Sequence, residues 1–295
     1  AIKRAHALFK RKLRDPMQLK AAIARLQADP NGRLVGRSDV IIEAIFEDRN
    51  AKAALFQSIE PQLKPGALLA TNTSAIPLED LASSLKNPER LIGLHFFNPV
   101  AQMPLVEVVK GKQSSEDMLD RGAAFCRQIS RFPLPVKSSP GFLVNRVLAP
   151  YMMKALQMHR EGTSAEALDA AAEKFGMPMG PVELADTVGL DVCLMVTDVL
   201  HEGNEVDQLI ENPDRAFVEQ HVKKGNLGKK SGKGFYTWRN GKPVKYPPNL
   251  SGYDLDSIGE SLMKAYYEEC QAALEDNVVK EADLVDAGMV FGTGF

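Results

Sequence analysis

Short apolar runs alternating with amphipathic stretches mark the first half of the chain. Residues 40–46 are mostly branched aliphatic, and a run of that length reads as a parallel strand buried on both faces. Residues 67–71, 91–95, 105–109 and 132–136 read as further short strands. Between them the periodicity lengthens to that of a helix. Asp48, a good capping residue, precedes a segment bearing Ala53, Leu55, Phe56 and Ile59 that stops near Pro61. Residues 77–85 and 115–130 read as further helices, and residues 1–13 as a basic amphipathic one. Strands alternating with helices predict an α/β sheet with crossover connections.

Beyond Pro140 strand signals nearly vanish. Helices are expected over about 142–160, 164–174, 181–200 and 206–223, then a glycine- and lysine-rich loop over 225–235. A linker over 243–248 leads to a last helical stretch over about 255–290. The composition change at Ser138-Ser139-Pro140 places a domain boundary there, with an α/β unit over 1–138 and an all-α unit over 139–240. A weak echo links two parts of the helical half. Tyr151 to Glu161 ahead of Asp169 and Gly176 resembles Tyr266 to Glu275 ahead of Asp286 and Gly294, so 249–295 is expected to be a partial second helical repeat.

At 295 residues the chain is long enough for two domains with separate cores. Lysine plus arginine at 36 against aspartate plus glutamate at 38 leaves no electrostatic case for nucleic acid. The 3 cysteines are far apart and lack metal-ligand spacing, so neither a disulfide framework nor a metal site is expected. A reducing, cytoplasmic compartment fits. No apolar stretch approaches the roughly 18 residues that span a bilayer.

Candidate chemistry gathers at the polar tips of the apolar runs. Leu94-His95-Phe96-Phe97-Asn98-Pro99 ends one strand, and Glu107 lies inside Leu105-Val106-Glu107-Val108-Val109. A carboxylate between aliphatic residues is costly to bury without a partner. An imidazole is a natural one, since the carboxylate fixes its tautomer and makes the other nitrogen more basic. Such a pair can move a proton to or from an alcohol near neutral pH. The plain alternatives are a core histidine satisfied by backbone and a strand glutamate facing water. Strict alternation sets Glu107 opposite Val106 and Val108 without saying what covers its face. Ser74 either presents its hydroxyl at a strand end or caps the helix beginning near Pro77. Asn145, early in the long helix, faces either a cleft or solvent.

Five stretches, in order, resemble the L-3-hydroxyacyl-CoA dehydrogenase family over nearly the whole chain. They are Val40-Ile41-Ile42-Glu43-Ala44-Ile45-Phe46-Glu47, Thr71-Asn72-Thr73-Ser74, Gly93-Leu94-His95-Phe96-Phe97-Asn98-Pro99, Pro140-Gly141-Phe142-Leu143-Val144-Asn145-Arg146 and Met177-Pro178-Met179-Gly180-Pro181. The internal echo makes the dehydrogenase part of a multifunctional fatty-acid β-oxidation protein the nearest likeness. The resemblance implies an α/β fold: an incomplete Rossmann-type doubly wound sheet followed by an all-α C-terminal domain, duplicated as in those larger proteins. It further implies NAD as cofactor, an acyl-CoA thioester as substrate, and a homodimer or a β-oxidation complex as the assembly.

Carried over residue by residue, the resemblance makes His95 the general acid/base and Glu107 its orienting carboxylate. Ser74 and Asn145 would hold the substrate oxygen, and Ile45, Phe46, Glu47, Lys52, Asn72, Ser74 and Asn98 would line the cofactor. Dinucleotide-binding folds of this class open with a strand, a G-x-G-x-x-G turn and a helix. None precedes Val40. The chain is therefore expected to be a piece of a longer polypeptide that binds NAD poorly by itself. A catalytically impaired fragment or assembly module is the competing reading.

Residues 225–234 invite a phosphate-loop reading, but Gly234 stands where serine or threonine is needed, so a structural or cleft-lining role is expected. The basic cluster of Lys3, Arg4, Lys10, Arg11, Lys12 and Arg14 either meets coenzyme A phosphates or forms a solvated helix face.

Overall fold

The computed structural model describes residues 2–74, 76–200, 213–245 and 250–295. Two helices, α1 (Ile2–Lys12) and α2 (Pro16–Ala24), precede the sheet. The second was not anticipated; Pro16 opens it and Asp15 caps it, accepting from the Met17 N–H at 2.9 Å. The basic residues of α1 are all exposed.

The apolar runs become β1 (Val40–Glu43), β2 (Leu68–Thr71), β3 (Leu91–Phe96), β4 (Leu105–Lys110) and β5 (Phe132–Lys137), ordered β1-β2-β3-β4-β5 in one sheet. Between them lie α3 (Arg49–Ile59), α4 (Leu78–Ala82) and α5 (Glu116–Gln128). Asp48 caps α3 as expected, accepting from the Ala51 N–H at 2.8 Å. One sheet face packs Ile92, Leu94, Val106 and Val108 against Met118 and Cys126 of α5. The other packs Leu69 and Leu91 against Phe56 of α3 and Leu81 of α4.

One connection differs from the crossover pattern. β1, β2 and β3 are parallel, but β4 runs antiparallel to β3 before pairing parallel with β5. Residues 97–104 form too short a link for a crossover helix, so the chain folds straight back. That hairpin places Glu107 directly opposite His95.

The second half is helical, with α6 (Val144–Arg160), α7 (Ala165–Phe175), α8 (Pro181–Val188), α9 (Leu190–Leu200), α10 (Pro213–Lys223), α11 (Leu255–Glu275) and α12 (Ala282–Thr293). The single helix expected over 181–200 breaks at Gly189, whose φ of 107° an L side chain rarely adopts. Residues 206–212 of the next expected helix and 246–249 of the expected linker lie outside the described residues. A small hairpin, β6 (Thr237–Arg239) with β7 (Lys242–Val244), was not foreseen, its strands being too short to show periodicity.

One apolar cluster runs from Leu105, Val109, Leu134 and Val136 of the sheet through α6 and α7 to α11 and α12. The two tyrosines of the internal echo, Tyr151 and Tyr266, meet in it edge to face at 6.1 Å. β5 ends the sheet with Pro133 and Pro135, while the Lys137 N–H turns outward to the Val278 carbonyl at 2.8 Å. Among the described residues no helix is long and apolar enough to cross a membrane.

Candidate active site

The hairpin fixes the central contact. His95 Nδ1 lies 2.6 Å from Glu107 Oε2. Facing a carboxylate, Nδ1 is the protonated nitrogen, which leaves Nε2 with its lone pair. Neither side chain is solvated: His95 is 5% exposed and Glu107 0%. The face of Glu107 that alternation left open is covered by the start of α6. There Oε1 of Glu107 accepts from the Leu143 and Val144 N–H groups, each at 3.0 Å. α6 has no capping side chain of its own, so a strand carboxylate supplies the cap. Phe97 and Phe142 flank the imidazole at centroid distances of 4.5 and 5.6 Å.

A second polar group sits at the neighbouring strand ends. Lys52, a surface residue on composition alone, is 1% exposed. Its ammonium donates to Glu43 at 2.8 and 2.9 Å and pairs with Glu47 at 3.1 Å. Glu43 also accepts from the Thr71 hydroxyl at 2.6 Å and the Ile45 N–H at 2.6 Å. Glu47 accepts from the Ser74 N–H at 2.8 Å and from the Thr73 hydroxyl. Burial alone would raise the Glu47 carboxyl pKa, but donors from Thr73, Lys52 and Ser74 outweigh it and hold the group below its usual value.

These lattices meet at Ser74, whose carbonyl accepts from Asn145 Nδ2 of α6 at 3.2 Å. Ser74 does not cap the following helix; Ser138 serves there, accepting from the Leu78 N–H at 3.1 Å. Asn72 braces the strand tips, its Oδ1 accepting from the Phe96 N–H at 2.9 Å. Ile45 and Phe46 form an apolar lip, 39% and 71% exposed. Asn98 is exposed in the loop after β3.

Glu43 was missed as a site residue, yet the argument that found Glu107 applies to it: a carboxylate closing an aliphatic strand needs a partner. Nothing in the sequence signals the two backbone donors to Glu107. The glycine- and lysine-rich loop packs tightly on Asp186. Gly228 and Gly234 lie where an added Cβ would strike Asp186 at 2.2 and 2.0 Å. Asp186, fully buried, accepts from the Phe235 and Tyr236 N–H groups and from Trp238 Nε1, each at 2.9 Å.

The fold and site define an α/β protein with an imidazole poised for proton transfer at the C-terminal ends of parallel strands, where open sheets of this kind bind ligands. Comparison with known proteins narrows the class. Residues 1–139 match the 3-hydroxyacyl-CoA dehydrogenase NAD binding domain and residues 141–238 match that family's C-terminal domain. The chain belongs to the 3-hydroxyacyl-CoA dehydrogenase family, and its cofactor is NAD.

A fatty acid oxidation complex subunit alpha from Psychrobacter sp. is 36% identical over 98% of this chain. The chain spans 42% of that relative's length. Among solved structures, Mycobacterium tuberculosis FadB2 is 31% identical with a TM-score of 0.73, covering 81% of this chain and 84% of its own. The 3-hydroxybutyryl-CoA dehydrogenase of Escherichia coli K12 is 25% identical with a TM-score of 0.81, covering 100% of this chain and 81% of its own.

Proposed function

We propose that the protein oxidises an L-3-hydroxyacyl-CoA to the 3-ketoacyl-CoA, as the dehydrogenase portion of a larger fatty-acid β-oxidation protein. The 2.6 Å contact between His95 and Glu107 carries the reading. Nε2 of His95 removes the proton of the 3-hydroxyl as C3 becomes a carbonyl. Glu107 meets the imidazolium so formed at Nδ1, where a charge-assisted hydrogen bond is worth about 1.5–3 kcal/mol. Ser74 and Asn145 hold the substrate oxygen between the sheet and α6, a position typical of ligand sites at domain interfaces.

NAD, when bound, supplies the hydride acceptor. The residues at the β1 tip suit its nicotinamide end: the exposed apolar lip of Ile45 and Phe46 beside Glu47 and the buried Lys52. Asn72 and Asn98 complete that wall. Residues 1–138 are the cofactor-binding domain, 139–240 the helical dehydrogenase domain, and 249–295 part of a second helical repeat. The shared burial of Tyr151 and Tyr266 supports the duplication. The protein acts in the cytoplasm, as a homodimer or within a β-oxidation complex.

Two measurements test this. Turnover with an L-3-hydroxyacyl-CoA, followed by NADH absorbance, is expected to exceed that with the free 3-hydroxy acid; equal rates would overturn the thioester assignment. Calorimetric titration with NAD separates the two readings: saturable binding supports a working dehydrogenase, and none supports an impaired fragment or assembly module.

A further inference from the structure

We infer that Phe142 is a positioning residue for the His95–Glu107 pair, acting through its backbone and its ring together; the inference rests on the reading above. Four described non-glycine residues have positive φ: Ser130, Phe142, Asn240 and Asn277. Three are exposed, and two of those are asparagines, which tolerate this region. Phe142 is bulky, fully buried and held at φ 54°. For such a residue that backbone is disfavoured and calls for a local cause.

The cause lies one residue on. Leu143 is right-handed, with φ −97° and ψ −59°. Gly141 and Phe142, both at positive φ, turn the chain so that the successive N–H groups at the start of α6 face a single point, and such turns cradle anions. Here the anion is Oε1 of Glu107, which takes the Leu143 and Val144 N–H groups at 3.0 Å each. The Phe142 N–H itself goes elsewhere, to the Ser139 carbonyl at 3.0 Å, closing the turn from behind. With a right-handed residue 142 the N–H groups would swing off Glu107, and its other oxygen would lose its fixed bearing on His95.

The ring explains why the position holds phenylalanine and not the glycine that this backbone favours. Its centroid lies 5.6 Å from that of His95, and Phe97 stands at 4.5 Å. The ring joins the sheet-to-helix core and keeps water from the buried hydrogen bond. One residue thus aims the carboxylate and shields the imidazole.

The test compares Phe142→Ala, Phe142→Gly and Phe142→Leu with Val147→Ala, a fully buried control one turn along α6. The first readout needs neither substrate nor cofactor: the far-downfield imidazole N–H proton of His95, assigned by its loss in His95→Gln. It should be present in the wild-type chain and in Val147→Ala, and broadened or lost in Phe142→Ala. The second is turnover. Phe142→Ala should lose about 10–100-fold in kcat with KM within about threefold, the pattern of a lost transition-state interaction. Phe142→Gly should recover about fivefold of that loss, because glycine enters the left-handed region freely.

A residue that only filled the core would give the same kcat in Ala and Gly, tracking the thermal stability seen for Val147→Ala; that result overturns the proposal. Should Phe142→Ala fail to fold, Phe142→Leu keeps the volume and still removes the ring, and an unchanged proton and kcat there would be equally fatal. Absence of the downfield proton from the wild-type chain would instead remove the His95–Glu107 pair and the dehydrogenase reading with it.

Discussion

Glu107 and Asp186 face the same physical problem and resolve it differently. Both are fully buried carboxylates held by backbone N–H groups, one at the sheet and one under the helical loop. Asp186 accepts two backbone N–H groups and one indole N–H, none of which can titrate near neutral pH. Glu107 gives one oxygen to backbone and turns the other to an imidazole. The first arrangement locks a loop; the second leaves one proton free to move. Burial of a carboxylate therefore does not mark a catalytic site. What sets Glu107 apart is its imidazole partner.

The sharpest way to break this contrast is to remove chemistry on one side and stability on the other. His95→Gln should cut kcat by about 10²–10⁴, the usual worth of a general base, while the melting temperature barely moves. Full turnover in that variant would leave Glu107 no different in kind from Asp186. Asp186→Ala should do the reverse. Leaving three buried donors unpaired costs about 3–5 kcal/mol, read as a fall in denaturant midpoint, with kcat of the surviving folded protein within about threefold. A stability loss below about 1 kcal/mol would show that the loop does not depend on Asp186.

The smallest expected effect concerns His221, a half-buried side chain whose buried Nδ1 has no partner among the described residues. It lies between Phe217 and Phe235 at 5.5 and 4.6 Å, next to the loop that Asp186 holds. Burial first, then Lys224, His159 and Lys233, push its pKa below 6.5, and Asp186 only partly opposes them. The unfolded chain thus binds a proton that the folded chain resists. Stability from this group is complete above pH 6.5 and falls as pH drops toward the folded value. His221→Phe should flatten the dependence of melting temperature on pH in that window, while an unchanged slope would remove His221 from the account.

The site was legible where the chain advertises a cost. Glu107 inside a run of valines demanded a partner, and a histidine at the end of the preceding strand could supply it. What alternation withheld was direction. The antiparallel return of β4 makes the two residues register partners, and hydrophobic period cannot distinguish a hairpin from a crossover. Composition alone would leave Lys52 at the surface and only the family likeness placed it in the site; it lies buried because Glu43 at the end of β1 and Glu47 in the loop before α3 hold it. The break at Gly189 and the strands β6 and β7 escaped for a simpler reason. A single glycine inside a helical pattern is ordinarily tolerated, and three-residue strands carry no measurable alternation.

The last strand of the sheet carries a protective property unrelated to catalysis. Along its outer rim the alternate positions 133 and 135 are prolines, and the next amide, at Lys137, is already engaged by Val278. A stray polypeptide approaching that rim meets carbonyl oxygens but no amide hydrogens, so no ladder can start there. Self-association through sheet extension is thereby opposed on one flank, by two amides that carry no hydrogen and a third that is already engaged.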